Sequence, residues 1–377
     1  MERIKKKRRF RLQIGVNMNS LSDYKDSRDN NFNLIRFVAA SLVLVSHSFP
    51  LATGSGVAEP LKSALGIAFG HIAVDIFFIT SGFLITGSLL RSKSTPSYIA
   101  ARALRIYPAL IVAMLLTVFV LGPLLTQFTL SDYFTRQTFI YLLKNSTLFF
   151  GVEFNLPGVF VEVPWENAVN GSLWTLPYEV KMYAYLLFFF LGAAFLKRIT
   201  PIKYQKWVKF EWAIAFTALT SLLLHLSNHV YLNRFDDFIR LFSFFFIGSF
   251  CYIYASVIRM SSRIFLLLTF FGLASAVGVV YFELNKETFM VTYILTLPYI
   301  VFYLAYIPNG IIRRFNNLGD YSYGIYIYAF PMQQMSALLI SNVSVIQMIF
   351  VSGVLTLLLA IGSWHLVEKK ALKLKPF

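Results

Sequence analysis

Apolar residues in this chain come in long runs rather than in alternation. Ten runs approach the roughly 20 residues a helix needs to cross a bilayer core of about 30 Å: 34–53, 71–90, 106–125, 177–196, 211–227, 238–255, 263–282, 289–306, 321–341 and 344–364. No ten-residue segment alternates apolar and polar positions as a barrel strand does. The pattern therefore predicts an all-α, polytopic membrane helical bundle of about ten transmembrane helices. The polar breaks are short except for 126–176. Ahead of the first run, 1–33 carries five consecutive basic residues at 5–9 but no apolar signal core or cleavage site. It reads as a basic cytoplasmic leader to a membrane domain over 34–364, with 365–377 as a basic cytoplasmic tail.

Composition narrows the class. With 57% hydrophobic and 14% charged residues, the chain has about half the charge of a soluble globular protein, which excludes an ordinary soluble enzyme. Its 39 Phe, 21 Tyr and 5 Trp exclude an intrinsically disordered chain. The lone Cys251 rules out an intramolecular disulfide and a cysteine metal cluster. The net charge of +16 would suggest nucleic acid in a soluble protein. With the N-terminus inside and ten crossings, however, 27 of the 34 Lys and Arg fall on inner segments. Topology thus explains the charge without a nucleic-acid partner, and both termini are expected in the cytoplasm. Lys181 and Arg240, just inside the outer ends of two runs, stand apart from this pattern.

Ionisable side chains at membrane depth are costly and mark function. Arg36 lies near the inner end of the first predicted helix and His47 in its outer half. Their spacing is just over three turns, so they share one face about 16 Å apart along the axis. The second helix runs the other way and places His71 and Asp75 at i,i+4 on one face. Asp75 falls at the depth of His47, where a buried carboxylate can orient an imidazole acting as a general base. A packed core histidine and a structurally paired carboxylate are the alternatives. Pro177 suits a first helical turn and puts Glu179 at the outer face, as a further partner or as a complement to the helix dipole. Arg102 and Arg105, at i,i+3 on the inner boundary, can clamp a phosphate. The 16 Å or so between the arginines and His47 is comparable to the reach of a pantetheine arm. A coenzyme A thioester entering from inside would set its phosphates on the arginines and its acyl carbon at His47. The long outer segment, with Glu153, Glu162, Trp165, Glu166 and Trp174, suits a sugar-like acceptor or a structured cap.

Four segments, in order, resemble the acyltransferase-3 family of integral membrane O-acyltransferases, which modify bacterial surface polysaccharides and related glycans. They are Arg36 with His47 after ten intervening residues, the stretch Ala73-Val74-Asp75-Ile76-Phe77-Phe78 leading to Ser81-Gly82-Phe83, the run Arg102-Ala103-Leu104-Arg105-Ile106-Tyr107-Pro108, and Ser172-Leu173-Trp174-Thr175-Leu176-Pro177-Tyr178-Glu179. The resemblance covers most of 30–370. It implies His47 as the essential catalytic residue, with Asp75 and Glu179 as further catalytic candidates. It implies Arg36, Arg102 and Arg105 as donor-binding residues, and Ser172, Trp174 and Tyr178 are the candidate acceptor contacts. The implied donor substrate is acyl-CoA, acetyl-CoA foremost, with no permanently bound cofactor and no metal. The implied acceptor is a hydroxyl of a cell-surface glycan or glycolipid such as lipopolysaccharide O-antigen or capsule, and the implied location is the bacterial cytoplasmic (inner) membrane. One position departs from the family: Ala329 stands where many relatives have His. A glycolipid transporter or flippase built on the same buried charges is the competing expectation, weakened by the lack of self-similar halves.

Overall fold

The computed structural model describes residues 19–228 and 236–375, so most of the expected basic leader lies outside the described residues. Among those described, ten helices have 18 or more residues. They are α1 (Phe32–Thr53), α2 (Phe69–Arg91), α3 (Thr95–Leu116), α4 (Leu176–Ile199), α5 (Phe210–Ser227), α6 (Asp236–Ile253), α7 (Ser262–Tyr281), α8 (Lys286–Tyr306), α9 (Ser322–Leu339) and α10 (Val345–Ser363). Each predicted run is helical, and no strand occurs among the described residues.

Eight of the ten have both the length and the apolarity of a membrane span. The other two, α6 and α9, are long enough but more polar. α6 carries Asp237 and Arg240, and α9 carries Gln333, Gln334 and several tyrosines. Both sit inside the bundle, where polar side chains find protein partners instead of lipid; residues 322–334 of α9 are all buried. α2 packs against α1 and α6, α1 against α9, α9 against α10, and α7 against α8. Arg36 at the start of α1 and Lys375 beyond α10 line one cavity, so both ends of the described chain lie at the same end of the bundle.

The apolar run expected from residue 106 belongs to a helix, α3, that begins earlier, at Thr95. Ser94 caps it by accepting from the Ser97 amide, and Pro96 occupies the first turn, where its missing N–H costs nothing. This early start places Arg102 and Arg105 on the helix proper. At its far end α3 passes through a π-turn over Thr117–Leu121 before Pro123. Pro123 has no N–H to give the Val118 carbonyl, and the Tyr133 hydroxyl supplies that bond at 2.8 Å.

Gly82 of α2 and Gly248 of α6 set a close helix crossing. A methyl on Gly82 would overlap the carbonyl oxygen of Phe245, and one on Gly248 the carbonyl oxygen of Ile79. Backbone cannot rotate away, so Gly82→Ala forces the helices apart and should cost about 3 kcal/mol. The check is thermal unfolding of detergent-purified protein. Gly192→Ala in α4, where a methyl meets nothing within 4 Å, should leave the midpoint unchanged or slightly raised.

Candidate active site

A cavity of about 310 Å³ opens where α1 begins and α10 finishes. Its walls include Arg36, Arg102, Arg105 and Lys375 on one hand and Asp320 and Glu179 on the other. Asp320 sits just ahead of α9, after Gly319, whose φ of 121° is open only to glycine. One Asp320 carboxylate oxygen accepts from the Ser322 hydroxyl and amide at the start of the helix. The other takes both arginines, Arg36 Nη1 at 2.9 Å and Arg105 Nη2 at 2.5 Å. Burial alone would raise the Asp320 pKa, but Arg105 and Arg36 outweigh it and hold the carboxyl well below the usual range. Arg105 also lies 3.7 Å from Glu368. Arg102 donates to Ser88 at 3.2 Å, while its Nε makes no hydrogen bond among the described residues. Burial first, then repulsion from Arg102 and Arg105, pulls the Lys375 ammonium down to about 8.

From this cavity a neck of about 30 Å³ leads inward, sharing Arg36, Ser81 and Glu179 with it. At its other side the neck shares Val74 and Tyr326 with a chamber of about 120 Å³ around His47. Glu179 therefore stands at the junction of the arginine cavity and the neck, not at the outer face where the sequence placed it. The cause is the path of the chain: the end of the long segment dips into the bundle before α4 starts. There Glu179 accepts from the Tyr183 hydroxyl and, at 3.5 Å, from Ser81.

That dip also builds the His47 chamber. Pro331 removes the N–H that would bond the Ile327 carbonyl within α9, and the buried Asn170 side chain takes its place at 2.8 Å. Next to Asn170, the Tyr326 hydroxyl donates to the Ser172 carbonyl and pairs with Thr175 Oγ1 at 2.5 Å. Together these bonds hold Ser172 against the histidine, its Oγ 3.4 Å from His47 Nδ1. Phe330 packs edge-on to the imidazole at 5.6 Å. His47 Nε2 makes no hydrogen bond among the described residues, which leaves it as the nitrogen free to take a proton from a substrate. Trp174 lines the chamber. Tyr178 does not; it packs against Trp174 and Phe238.

Asp75 occupies a different place from the one expected. Its carboxylate is fully buried and meets Tyr293 Oη at 2.8 Å and Arg240 Nη1 at 3.3 Å. It is absent from the chamber wall, whereas Arg240 is part of it. The carboxylate that does line the chamber is Glu59, in the turn beyond α1, where burial raises its pKa more than Lys62 and Ser46 lower it. His71 completes the polar wall. Sequence reasoning passed over Glu59, which sits in a short loop with no periodic signal. In the sequence Arg240 stands out only as an exception to the charge distribution.

A family model described as an acyltransferase domain matches residues 29–365. An O-acetyl transferase of Shigella phage Sf6 is 32% identical over 357 residues, 92% of this chain and 96% of that protein. Nodulation protein 10 of Rhizobium leguminosarum bv. viciae is 27% identical over 392 residues, 95% of this chain and 97% of its own length. No solved structure matches. The family match runs from just ahead of α1 to just past α10, through both the arginine cavity and the His47 chamber, and the chain belongs to the acyltransferase-3 family as a multi-pass membrane acyltransferase.

Proposed function

We propose that the protein transfers an acetyl or similar short acyl group from cytoplasmic acyl-CoA to a hydroxyl of a cell-surface glycan or glycolipid across a bacterial cytoplasmic membrane. The observation that carries this reading is the line of three cavities from the arginines, through the neck, to His47. The cationic cavity suits the phosphates of coenzyme A. The neck follows the direction a pantetheine arm must take, and the chamber holds a histidine with a free ring nitrogen. His47 Nε2 accepts the acceptor hydroxyl's proton as that oxygen attacks the thioester carbon. Collapse of the tetrahedral intermediate then expels the coenzyme A thiolate, which takes the proton back from the imidazolium. Ser172 at Nδ1 fixes the ring's orientation. Glu59 and Trp174, on the same wall, are suited to a polyhydroxylated ring. The phage relative's name, an O-acetyl transferase, supports acetyl as the group moved.

Two measurements test the reading. Mass spectrometry of surface glycans should show loss of an acyl mass when the gene is deleted. Purified protein should bind acetyl-CoA, which a flippase has no reason to do. Lys375 gives that binding a pH signature. Its ammonium is charged below about 8 and neutral above, so acetyl-CoA affinity should weaken as pH rises through that value. In Lys375→Met the dependence should flatten, as titration calorimetry at several pH values would record.

A further inference from the structure

Arg240, 4% exposed on a helix that packs inside the bundle, lines the same chamber as His47. Two carboxylates clamp it. Asp237, three residues earlier, accepts from Nη2 at 2.9 Å, and Asp75 lies 3.3 Å from Nη1. Asp75 is in turn held by Tyr293 at 2.8 Å. Despite this, Nη1 is buried and makes no hydrogen bond among the described residues. Its charge is paired with Asp75 while its hydrogen-bonding geometry is left unmet, and its residue lines the cavity in which the acyl carbon is to sit. A buried donor left in that state carries a standing penalty unless a ligand oxygen completes it.

We infer that Arg240 is a catalytic residue, donating to the acyl carbonyl oxygen as it becomes an oxyanion, and that Asp75 is the positioning residue that aims it. The inference rests on the acyl-transfer reading above and deepens it. When the acceptor oxygen bonds to the thioester carbon, the carbonyl π pair moves onto oxygen, and His47 holds the acceptor proton. The Arg240 guanidinium meets the new negative charge without reorganising. When the carbonyl re-forms, the carbon–sulfur bond breaks and the thiolate leaves with the proton from His47. This division of labour explains why Asp75 sits away from His47: its effect on the reaction runs through Arg240. A preorganised donor of this kind stabilises the transition state more than the ground state.

The test uses full-length protein in nanodiscs, acetyl-CoA as donor and, as acceptor, surface glycan isolated from producing cells that lack the gene, with the released coenzyme A thiol followed over time. Arg240→Met should slow transfer about 100-fold or more while acetyl-CoA binding stays as in the wild type. Because that variant leaves Asp75 buried opposite no charge, the double variant Asp75→Asn, Arg240→Met is made beside it. The double variant should regain thermal stability and stay slow, and Arg240→Lys should recover part of the rate. Asp75→Asn alone should lower kcat with little change in KM for acetyl-CoA. A folded double variant that transfers at the wild-type rate overturns the role of Arg240 and leaves the acyl-transfer reading standing. Wild-type protein that neither binds acetyl-CoA nor releases thiol overturns both.

Discussion

Replacing His47 by Ala lowers acyl transfer about 1,000-fold or more and leaves the protein folded and able to bind acetyl-CoA. The three parts of this expectation have separate causes. The rate falls because the base that Ser172 orients is gone: Asp75 is committed to Arg240 and Tyr293, and Glu179 lies across the neck. Folding survives because, among the described residues, the ring's hydrogen-bonding tie is a single contact of 3.4 Å, and its loss orphans only a serine hydroxyl. Donor binding survives because the arginine cavity is about three helical turns away along α1. Released thiol reports the rate, and calorimetry with acetyl-CoA reports the binding. Transfer at the wild-type rate in this variant would remove His47 from the mechanism. His47→Gln, which keeps a hydrogen-bonding side chain but no base, should be as inactive as the alanine variant.

Asp320→Ala has the second largest effect, and it acts on stability. One oxygen of this carboxylate pairs with both Arg36 and Arg105, whose side chains are 19% and 13% exposed. Removing one partner of a buried pair costs about 3–5 kcal/mol, because the charge left behind stays desolvated. Arg105 keeps Glu368 at 3.7 Å, while Arg36 loses its ion pair outright. A marked drop in the thermal midpoint of detergent-purified protein is therefore expected, smaller for Asp320→Asn, which retains a hydrogen-bond acceptor. The cavity then carries cationic charge that Asp320 no longer offsets, so acetyl-CoA phosphates should compensate. The stabilisation acetyl-CoA confers should be larger in Asp320→Ala than in the wild type. A variant as stable as the wild type without ligand would mean that the two arginines are not held by this carboxylate.

The helical bundle was legible in the sequence because membrane spans declare themselves by length and apolarity, and all ten runs are helices. The Arg36 and His47 face was legible for a related reason: an unbroken helix turns residue spacing into geometry, and α1 is continuous across both. Pairings between helices were not. Asp75 has the depth to meet His47, but depth fixes one coordinate, and the rotation of α2 against α6 decides the rest. Gly82 and Gly248 bring those helices so close that Asp75 falls to Arg240. Glu179 was misplaced because a stretch of chain without helical or strand period gives no depth at all. Only the bonds from Asn170 to Ile327 and from Tyr326 to Ser172 reveal how far that segment sinks. Pro331 was the available signal: a proline within a long helix frees a carbonyl, and a buried carbonyl requires a donor from elsewhere.

The neck between the two cavities has a consequence for the cell's energy supply. A membrane that stores a proton gradient cannot tolerate an open aqueous path, yet this protein carries polar cavities toward both ends of its bundle. At about 30 Å³ the constriction is the smallest of the three cavities and has room for few water molecules, which limits any hydrogen-bonded file along which protons could hop. Val74, Phe77, Phe78 and Leu176 line it beside Arg36 and Glu179. On the proposed reading, a donor arm that widens this passage also fills it, so the substrate itself would keep the membrane sealed during a turnover.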